Sequence, residues 1–335
     1  MTSRVRAAQP APLCEDDVVA AIASIVGPVR NRSIVLGIGD DAALWQPSRS
    51  NRSAITTDML VEGVHFARTL MSLRDAGWRA MTANTSDLAA MGARPVLATV
   101  ALGIPAQAGV DETCELYAGL AAAAAAQRLA IVGGDLSRAP VLTVAVAAVG
   151  EVRASNVKTR AGARPGAVLA VTGPLGAARA GLDLASNRAS IEERLAAEAL
   201  EAFCRPRPRL AEGRFLGASR NVQAMIDCSD GLSTDLDRIC KSSGCGATLE
   251  SVPVAPAARA LAQRLGEDPE RYALAGGEDF ELLVAVGSRA FGYLSQRFAK
   301  RFGRPLLRIG TLRPEPGIQL RSEPVQPTGW DHFSP

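Results

Sequence analysis

The chain has 335 residues, enough for about two domains of average size. Apolar residues make up 47% and charged residues 21%, so the chain can bury an ordinary globular core and is not a disordered protein. Lys and Arg total 37 against 34 Asp and Glu, and this net charge of +3 argues against a protein that coats nucleic acid. Only three of the basic residues are lysines and there are two histidines, so a multi-histidine metal site is excluded.

The cysteine pattern and the hydropathy exclude several further classes. None of the six cysteines forms a C-x-x-C pair, which argues against a zinc ribbon or a thioredoxin-type site. The first 17 residues lack the apolar core of a signal peptide, and no stretch reaches the roughly 18 apolar residues of a membrane span. We therefore expect a cytoplasmic protein with reduced thiols and no membrane partner.

The first half alternates short apolar runs with longer helical patterns, which predicts mixed α and β structure. Small apolar residues spaced three and four apart form a single stripe along 72–91, as in an amphipathic helix. The predicted helices cover 15–26, 72–91 and 111–128. The predicted strands cover 33–36, 54–57, 96–102, 129–132 and 141–149, with a glycine-rich loop between the last two.

A basic segment, 151–166, ends in Arg-Pro-Gly and predicts the domain junction, which gives domains 1–155 and 156–335. The second half also alternates short apolar runs with helical patterns. Its predicted strands are 167–172, 224–226, 247–251 and 280–286, and its predicted helices are 175–185, 190–204, 232–241 and 288–302. We expect the Pro-rich stretch 314–327 to be an extended surface segment, and the lack of a short repeat excludes a solenoid.

Many acidic residues have glycine or apolar residues, and no basic residues, as sequence neighbours. Five segments place them beside glycine or at the end of an apolar run: Gly39-Asp40-Asp41, Thr56-Thr57-Asp58, Gly133-Gly134-Asp135, Asp227-Cys228-Ser229-Asp230 and Gly276-Gly277-Glu278-Asp279. We expect each where a strand ends. Glycine lets a ligand approach the backbone, and an unpaired carboxylate near apolar surface attracts a cation. Carboxylate and hydroxyl oxygens are suitable ligands for Mg²⁺, and protein-bound Mg²⁺ usually also coordinates the phosphates of a substrate.

Asp87 belongs with this set because it falls on the small apolar stripe of the 72–91 helix, where an unpaired charge is costly. It either faces a metal or pairs with an arginine. A single Gly-Asp doublet is more often a turn than a ligand. Five acidic segments together with Asp87 favour a shared polycarboxylate metal site.

The common phosphate-binding and catalytic motifs are absent. There is no G-x-x-x-x-G-K-[ST] loop and no G-x-S-x-G elbow. Residues 37–42 match G-x-G-x-x-A, but two aspartates would face the pyrophosphate and no clear helix follows, so we reject a dinucleotide site. A phosphoryl-transfer enzyme without these motifs must use metal ions to bind and neutralise its phosphates.

Nine segments together resemble the thiamine-monophosphate kinases, whose superfamily includes aminoimidazole ribonucleotide synthetase, selenophosphate synthetase and a hydrogenase-maturation protein. They follow the family order from residue 37 to 333: GIGDDAAL (37–44), TTDMLVEGVHF (56–66), NTSDLAAMGARP (84–95), GGDLSR (133–138), VTGPLG (171–176), RPRPRL (205–210), IDCSDGLSTDL (226–236), GGEDFEL (276–282) and GWDHF (329–333). The second, eighth and ninth are the segments most specific to this family.

The resemblance implies a two-domain α/β (α+β) fold of the aminoimidazole ribonucleotide synthetase type. Its N-terminal domain would form a dimeric β-barrel that carries metal and ATP sites, and its C-terminal α/β domain would contact nucleotide and substrate. The implied reaction is ATP-dependent phosphorylation of thiamine monophosphate to thiamine diphosphate with several Mg²⁺ ions. A homodimer without nucleic acid is expected, and a K⁺ requirement stays open.

The resemblance also implies roles for individual residues. The metal set is Asp40, Thr56, Thr57, Asp58, Asp87, Asp135, Asp227 and Asp230, of which Asp58, Asp135 and Asp230 are the catalytic candidates. The ATP contacts are Tyr117, Gly134, Asp135, Arg160 and Ser229, and the substrate contacts are His65, Glu278 and Trp330. From the residues alone, Tyr117 and Trp330 fit a core position as well as a ligand contact.

Two alternative functions stay open. The first is another enzyme of the superfamily. A selenophosphate synthetase requires an activated thiol, but the acidic residues after Cys14 would raise and not lower its pKa. The hydrogenase-maturation relative ends in cysteine, and this sequence does not. A non-catalytic metal- or nucleotide-binding module is the other.

Overall fold

The computed structural model describes residues 15–29, 31–39 and 42–329. Asp40, Asp41 and Trp330 lie outside these ranges. Five free cysteines fall within them. No helix in the described ranges is long and apolar enough to cross a membrane.

The first half builds one sheet and three helices. In chain order its elements are α1 (Glu15–Val26), β1 (Ile34–Leu36), β2 (Leu44–Trp45), β3 (Asn51–Val61), α2 (Leu73–Ala90), β4 (Arg94–Ile104), α3 (Val110–Gln127), β5 (Ala130–Arg138) and β6 (Thr143–Arg153). Strands β3, β6, β4 and β5 form a four-stranded sheet in that order, in which only β4 and β5 run parallel. β1 and β2 form a separate antiparallel pair.

The inner face of this sheet packs on α2 and α3. Val100, Val144 and Val146 alternate with outward-facing residues and join α2 and α3 in one apolar core. The two helices approach very closely, since a Cβ on Gly119 would lie 1.8 Å from the Arg74 carbonyl oxygen. Glycine is therefore required where α3 crosses α2, and this fixes the position of α2 against the sheet.

The second half forms a larger mixed sheet with helices around it. Its elements are β7 (Val168–Val171), α4 (Ala177–Ala185), α5 (Glu193–Cys204), α6 (Leu210–Gly217), β8 (Val222–Asp227), α7 (Leu232–Ser243), β9 (Gly246–Leu249), α8 (Pro256–Leu265), α9 (Pro269–Ala275), β10 (Leu282–Val286), α10 (Ser288–Phe302), β11 (Leu307–Arg313), β12 (Gly317–Leu320) and β13 (Glu323–Val325). The strand order is β13-β12-β9-β11-β7-β10-β8, and only β12 and β9 run parallel.

Helix α2 joins the two halves. Ala89 and Ala90 at its C-terminal end pack against Met225 and Val284 of the second sheet. The indole N–H of Trp78, also on α2, donates a hydrogen bond to the Pro206 carbonyl at 2.8 Å. Since α2 also covers the first sheet, it carries side chains that face both halves.

The long helices of the sequence analysis are confirmed, but several strands and short helices differ. The predicted glycine-rich loop after residue 132 is wrong, because β5 continues through Gly133, Gly134 and Asp135 and pairs with β4. Likewise β3 runs from Asn51 to Val61, so Asp58 and Asp135 lie inside strands and not at strand ends as expected. Pairing between neighbouring strands stabilises these segments beyond what their local composition suggests.

The second half contains elements that the sequence analysis missed. Helices α6, α8 and α9 and strand β11 were not predicted. Pro256 and Pro269 lie in the first turn of α8 and α9, where proline favours the start of a helix. The helices that follow are short, so the sequence pattern after each proline does not reveal them. The expected extended tail 314–327 is partly wrong, because Gly317–Leu320 and Glu323–Val325 are strands of the second sheet.

Candidate active site

A cleft of about 850 Å³ lies between the two halves. It is lined by the end of β3 and the loop after it, by one face of α2, and by the segments after β8 and before β10. Four aspartates from both halves line it: Asp58, Asp87, Asp227 and Asp230. The fold therefore brings together residues that are up to 172 positions apart in the sequence.

Asp58 lies on the inner face of β3. Its backbone N–H donates to the Asn84 side-chain oxygen on α2 at 3.1 Å, which fixes the strand against the helix. Burial, and then repulsion from Asp87 and Asp230, raises the pKa of Asp58 from its ordinary 3.8 to about 6. Among the described residues no donor satisfies its carboxylate, so this charge calls for a cation.

Asp87 faces the cleft from α2, one helical turn beyond Asn84. Its carboxylate accepts a hydrogen bond from the Thr56 hydroxyl at 2.5 Å. Burial raises the pKa of Asp87, while the Thr56 hydrogen bond and the Arg160 guanidinium oppose the rise. Among the described residues Asp87 forms no ion pair with an arginine, although the Arg160 charge acts on it, and its role as a metal ligand stays a prediction.

Asp227 and Asp230 come from the turn between β8 and α7. Asp227 is the last residue of β8 and accepts a hydrogen bond from the Ser86 hydroxyl of α2 at 2.7 Å. Burial, followed by repulsion from Asp87, raises the pKa of Asp227 to about 8. Asp230 forms an ion pair with Arg238 of α7, which also pairs with Asp235 at 2.7 Å.

This donor set fits divalent cations that prefer oxygen. Carboxylates that raise one another's pKa are stabilised when a cation lies among them, and Mg²⁺ prefers carboxylate, hydroxyl and water oxygens. Within the described ranges, no three carboxylate, thiol or imidazole groups converge closely enough to chelate one ion as they stand. Mg²⁺ commonly binds through one or two carboxylates together with waters and substrate phosphates, so the open arrangement agrees with such an ion.

The Gly276–Phe280 segment forms another wall of the cleft. The Glu278 carboxylate pairs with Arg79 of α2, whose side chain is almost fully buried and also donates to the Phe203 carbonyl. Asp279 accepts hydrogen bonds from the backbone N–H groups of Gly176 and Ala178 at 2.6 and 3.3 Å, at the start of α4. Glu278 and Phe280 have φ angles of 65° and 49°, a conformation that non-glycine residues rarely adopt.

Three further predicted contacts line the same cleft. His65 follows β3, and its Nδ1 accepts a hydrogen bond from the Val61 backbone N–H at 3.0 Å. Ser229 lies between Asp227 and Asp230, and its carbonyl accepts from the Glu278 N–H at 2.7 Å. Arg160 reaches the cleft from the segment between the two sheets.

Several predicted residues are not brought to the cleft within one chain. Thr57 points to the outer face of the first sheet and donates to the Val146 carbonyl at 3.1 Å. Asp135 lies on the same outer face, on the opposite edge strand β5, and accepts from the Ser137 hydroxyl at 3.1 Å. Gly134 has a packing reason of its own, because a Cβ there would lie 1.8 Å from the Val100 carbonyl oxygen.

Tyr117 lies in the apolar core. Its side chain is 3% exposed on α3 and packs with the buried residues of the first half, and burial raises its pKa. It does not line the cleft, so within one chain the structure provides no ATP contact from this ring. The amphipathic pattern of α3 had allowed a core position for Tyr117, and the structure shows that position.

Asp40 and Trp330 fall outside the described residues, but the two residues just before Trp330 lie at the cleft. Thr328 and Gly329 line it, and the Gly329 N–H donates to the Thr234 hydroxyl at 3.0 Å. The residue before Trp330 is therefore held beside Asp230, at the start of α7.

Three residues that position the acidic groups were not predicted from the sequence. Arg79 holds Glu278, Arg238 holds Asp230, and Asn84 holds the backbone of Asp58. Asn84 and Ser86 lie within the NTSDLAAMGARP segment beside Asp87, so the segment as a whole carried a signal. Nothing in the local sequence around Arg79 distinguishes it from a surface arginine, because Glu278 is distant along the chain. Arg238 follows Asp235 by three residues, a spacing that ordinary ion pairs on exposed helix surfaces share.

Comparisons with known families cover most of the chain. Residues 39–152 match the family described as AIR synthase related protein, N-terminal domain, and residues 164–291 match its C-terminal domain. A thiamine-monophosphate kinase of Escherichia coli (strain K12) is 36% identical over 312 residues, which cover 90% of this chain and 93% of the relative.

Two solved structures are similar over nearly the whole chain. The crystal structure of thiamine-monophosphate kinase from Stenotrophomonas maltophilia K279a has a TM-score of 0.82 and 33% identity, covering 94% of this chain and 99% of that one. A structure of AaThiL complexed with AMPPCP and TMP has a TM-score of 0.76 and 28% identity, covering 95% of this chain and 97% of that one.

Proposed function

Because this chain belongs to the thiamine-monophosphate kinases of the AIR synthase related protein family, we propose that it transfers the terminal phosphoryl group of ATP to thiamine monophosphate. The products are thiamine diphosphate and ADP. The observation that carries this proposal is the cleft itself, where Asp58, Asp87, Asp227 and Asp230 from both halves surround a space large enough for a nucleotide and a small substrate.

The chemistry needs charge control more than a strong base. The nucleophile is a phosphate oxygen of thiamine monophosphate, which is already ionised near neutral pH, so the scarcity of lysine and histidine is no obstacle. Two unit charges 4 Å apart repel by about 4 kcal/mol at an effective dielectric of 20. Mg²⁺ held by Thr56 and the four aspartates would neutralise phosphate charge and stabilise the charge that develops on the transferred group.

The chain's own side chains would then position the reactants. Arg160, beside Asp87, supplies a guanidinium group for a phosphate of ATP, and Ser229 adds polar groups on the other wall. His65 from the loop after β3 and Glu278 from the segment before β10 both line the cleft, and a carboxylate suits a cationic thiazolium ring. Trp330 follows Gly329, and an aromatic face there would stack on the same cationic ring. Holding the two phosphates in line supplies much of the remaining acceleration.

We propose that two copies close their four-stranded sheets into one barrel. The outer face of the first sheet leaves Ile55 73% exposed and Met59 54% exposed, and such an apolar surface favours a partner. Thr57 and Asp135 lie on this face, so their roles as metal ligands, and that of Gly134 toward ATP, depend on the second copy. Asp40 remains in the proposed metal set from the family segment GIGDDAAL.

The dimer is tested by light scattering of the full chain. Ile55→Arg should convert a dimer into a monomer, because a charge on that face opposes its burial. Tyr293→Arg is the matched control, since Tyr293 is 67% exposed on α10 and away from the sheet. A monomeric wild-type protein, or an Ile55→Arg variant that stays dimeric, contradicts the barrel.

We also propose a domain boundary at 155/156 and a cytoplasmic location. β6 ends at Arg153 and the next strand starts at Val168, with a short 3-10 turn from Ala154 to Asn156 in between. Five free thiols in the described ranges agree with a reducing compartment.

Substrate-dependent ATP consumption tests the proposed function. With Mg²⁺ present, ATP should be consumed with thiamine monophosphate and not with unphosphorylated thiamine or aminoimidazole precursors, and thiamine diphosphate should appear in equal amount to ADP. Consumption with an aminoimidazole precursor would support another enzyme of the superfamily. Tight nucleotide binding without turnover would support a non-catalytic module.

A further inference from the structure

A second cavity, of about 560 Å³, lies at the junction of the two halves, away from the acidic cleft. The first half supplies the start of β4 and the end of β6, and the second half supplies α6 and the end of α10. None of its lining residues belongs to the cleft. On β3 the nearest lining residues of the two cavities, Asn51 and Asp58, are seven positions apart, or about 23 Å of extended strand.

The lining of this second cavity is strongly basic. Four arginines and one glutamate contribute to it: Arg94, Arg153, Arg214, Arg301 and Glu151. Arg94 pairs with Glu151 at 3.3 Å, which leaves three arginines. Within the described part of the chain, Arg153, Arg214 and Arg301 form no ion pair with a carboxylate. Three like charges around one cavity favour an anion that carries more than one negative charge.

The cavity also has a fixed floor and an aromatic wall. The Glu151 side chain is buried, and its two carboxylate oxygens accept hydrogen bonds from the Ser48 backbone N–H at 2.9 Å and from Arg94. Phe215 lines the cavity and is held by edge contacts with Phe298 and Phe302, whose ring centres lie 6.0 and 5.5 Å away. A flat organic group can rest on such a ring while phosphates contact the arginines.

We propose that this cavity binds a small molecule that carries a diphosphate group attached to an organic ring. Its volume falls within the range of small-ligand sites, and guanidinium groups bind phosphate oxygens in pairs. Two such molecules would be present if the proposed function holds, ADP and thiamine diphosphate. The proposal that the cavity binds a diphosphate group depends only on its lining residues, and a binding measurement tests it without any turnover assay.

The test measures binding of inorganic diphosphate to the full chain by calorimetry, at low salt and with EDTA. EDTA removes the divalent cations that would draw the anion into the acidic cleft, where five acidic side chains stand against three guanidinium groups. We expect a dissociation constant below about 1 mM. The double variant Arg214→Gln with Arg301→Gln should weaken binding by at least about tenfold, since it removes two guanidinium groups that donate charged hydrogen bonds to the anion.

Two control variants locate the bound anion. Arg289→Gln changes an exposed arginine on α10, the helix that carries Arg301, and should leave binding unchanged. Arg160→Gln changes the acidic cleft and should also leave binding unchanged. The proposal is overturned if the wild-type protein binds no diphosphate up to about 1 mM. It is equally overturned if the double variant binds as tightly as the wild type, or if Arg160→Gln alone abolishes binding.

The organic part is tested with ADP and thiamine diphosphate under the same conditions. At least one of them should bind more tightly than inorganic diphosphate, and Phe215→Leu should remove that advantage while binding of inorganic diphosphate persists. The stronger ligand identifies the ring that the site accepts. Equal affinities for all three ligands would overturn the claim of an attached ring. A turnover assay that fails while binding persists would refute the proposed function and leave the diphosphate site standing.

Discussion

Replacing Asp58 by asparagine should stabilise the metal-free protein while it abolishes turnover. The change keeps the shape of the side chain and removes its charge. Among the described residues no donor satisfies the Asp58 carboxylate, so the variant sacrifices no hydrogen bond to it. The backbone contact to Asn84 does not depend on the carboxylate and should persist.

The magnitude follows from the pKa of this group. The folded chain holds the Asp58 proton up to about pH 6, whereas the unfolded chain releases it near 3.8. The stability that the fold gains from holding Asp58 in its protonated form is therefore complete below pH 3.8 and is lost as pH rises through 6. At pH 8, the two-unit difference corresponds to a cost of about 3 kcal/mol for holding the charged form in the fold. Asparagine avoids that cost, because it carries no charge.

Thermal unfolding in EDTA at pH 5 and pH 8 measures this effect. We expect the Asp58→Asn variant to melt at a higher temperature than the wild type at pH 8, by up to about 6 °C. The advantage should shrink at pH 5, where the wild-type carboxyl is mostly protonated. Added Mg²⁺ should raise the melting temperature of the wild type more than that of the variant, because a cation relieves the same repulsion.

A matched control is Asp111→Asn, which changes an exposed carboxylate in the first turn of α3. It should leave turnover intact and should not stabilise the protein. The reasoning is refuted if Asp58→Asn is less stable than the wild type at pH 8, or if the difference is the same at pH 5 and pH 8. A variant with near-normal turnover would refute the role of Asp58 as a metal ligand.

Three further predictions test other parts of the structure. Arg79→Gln should cost about 1–3 kcal/mol in urea unfolding and raise the KM for thiamine monophosphate more than that for ATP, because it releases Glu278; equal KM changes would contradict this. Gly119→Ala should cost at least about 1–3 kcal/mol by the same method, because its Cβ meets the Arg74 carbonyl, and an unchanged midpoint would contradict the close helix contact. Mg²⁺ affinity by calorimetry should fall from pH 8 to pH 6, because Asp58 and Asp227 then bind protons, and a pH-independent affinity would contradict their role as ligands.

Helix-forming segments were predictable because their signal is local. The stripe along 72–91 placed α2 within one residue at each end, and the alanine-rich run placed α3 equally well. Strand β5 was missed in part, since Gly133 and Gly134 favour a loop locally and become strand only through pairing with β4. Short helices such as α9, with seven residues, contain too few turns for a periodic pattern.

The sequence also identified most of the acidic cleft before any fold was known. Asp58, Asp87, Asp227 and Asp230 were expected to share a site, and the structure places all four around one cavity. Asp135, which follows two glycines, was expected at the same site, although it lies on the outer face of the sheet. Residue type and glycine neighbours indicate metal chemistry, but they do not encode the face of a strand on which a side chain lies when the segment is mistaken for a loop.

By itself, then, the sequence determined the chemical class, because motifs in family order indicate phosphoryl transfer from ATP. Carboxylates without basic neighbours and a scarcity of lysine and histidine add the expectation that metal ions assist it. Only the tertiary structure decided which charges meet. Arg79 reaches Glu278 across 199 positions, and the basic cavity gathers Arg94, Arg153, Arg214 and Arg301 from both halves. The physical reason is that charge interactions depend on distance in space, which folding sets through the packing of α2 between two sheets, whereas the sequence records only neighbours along the chain.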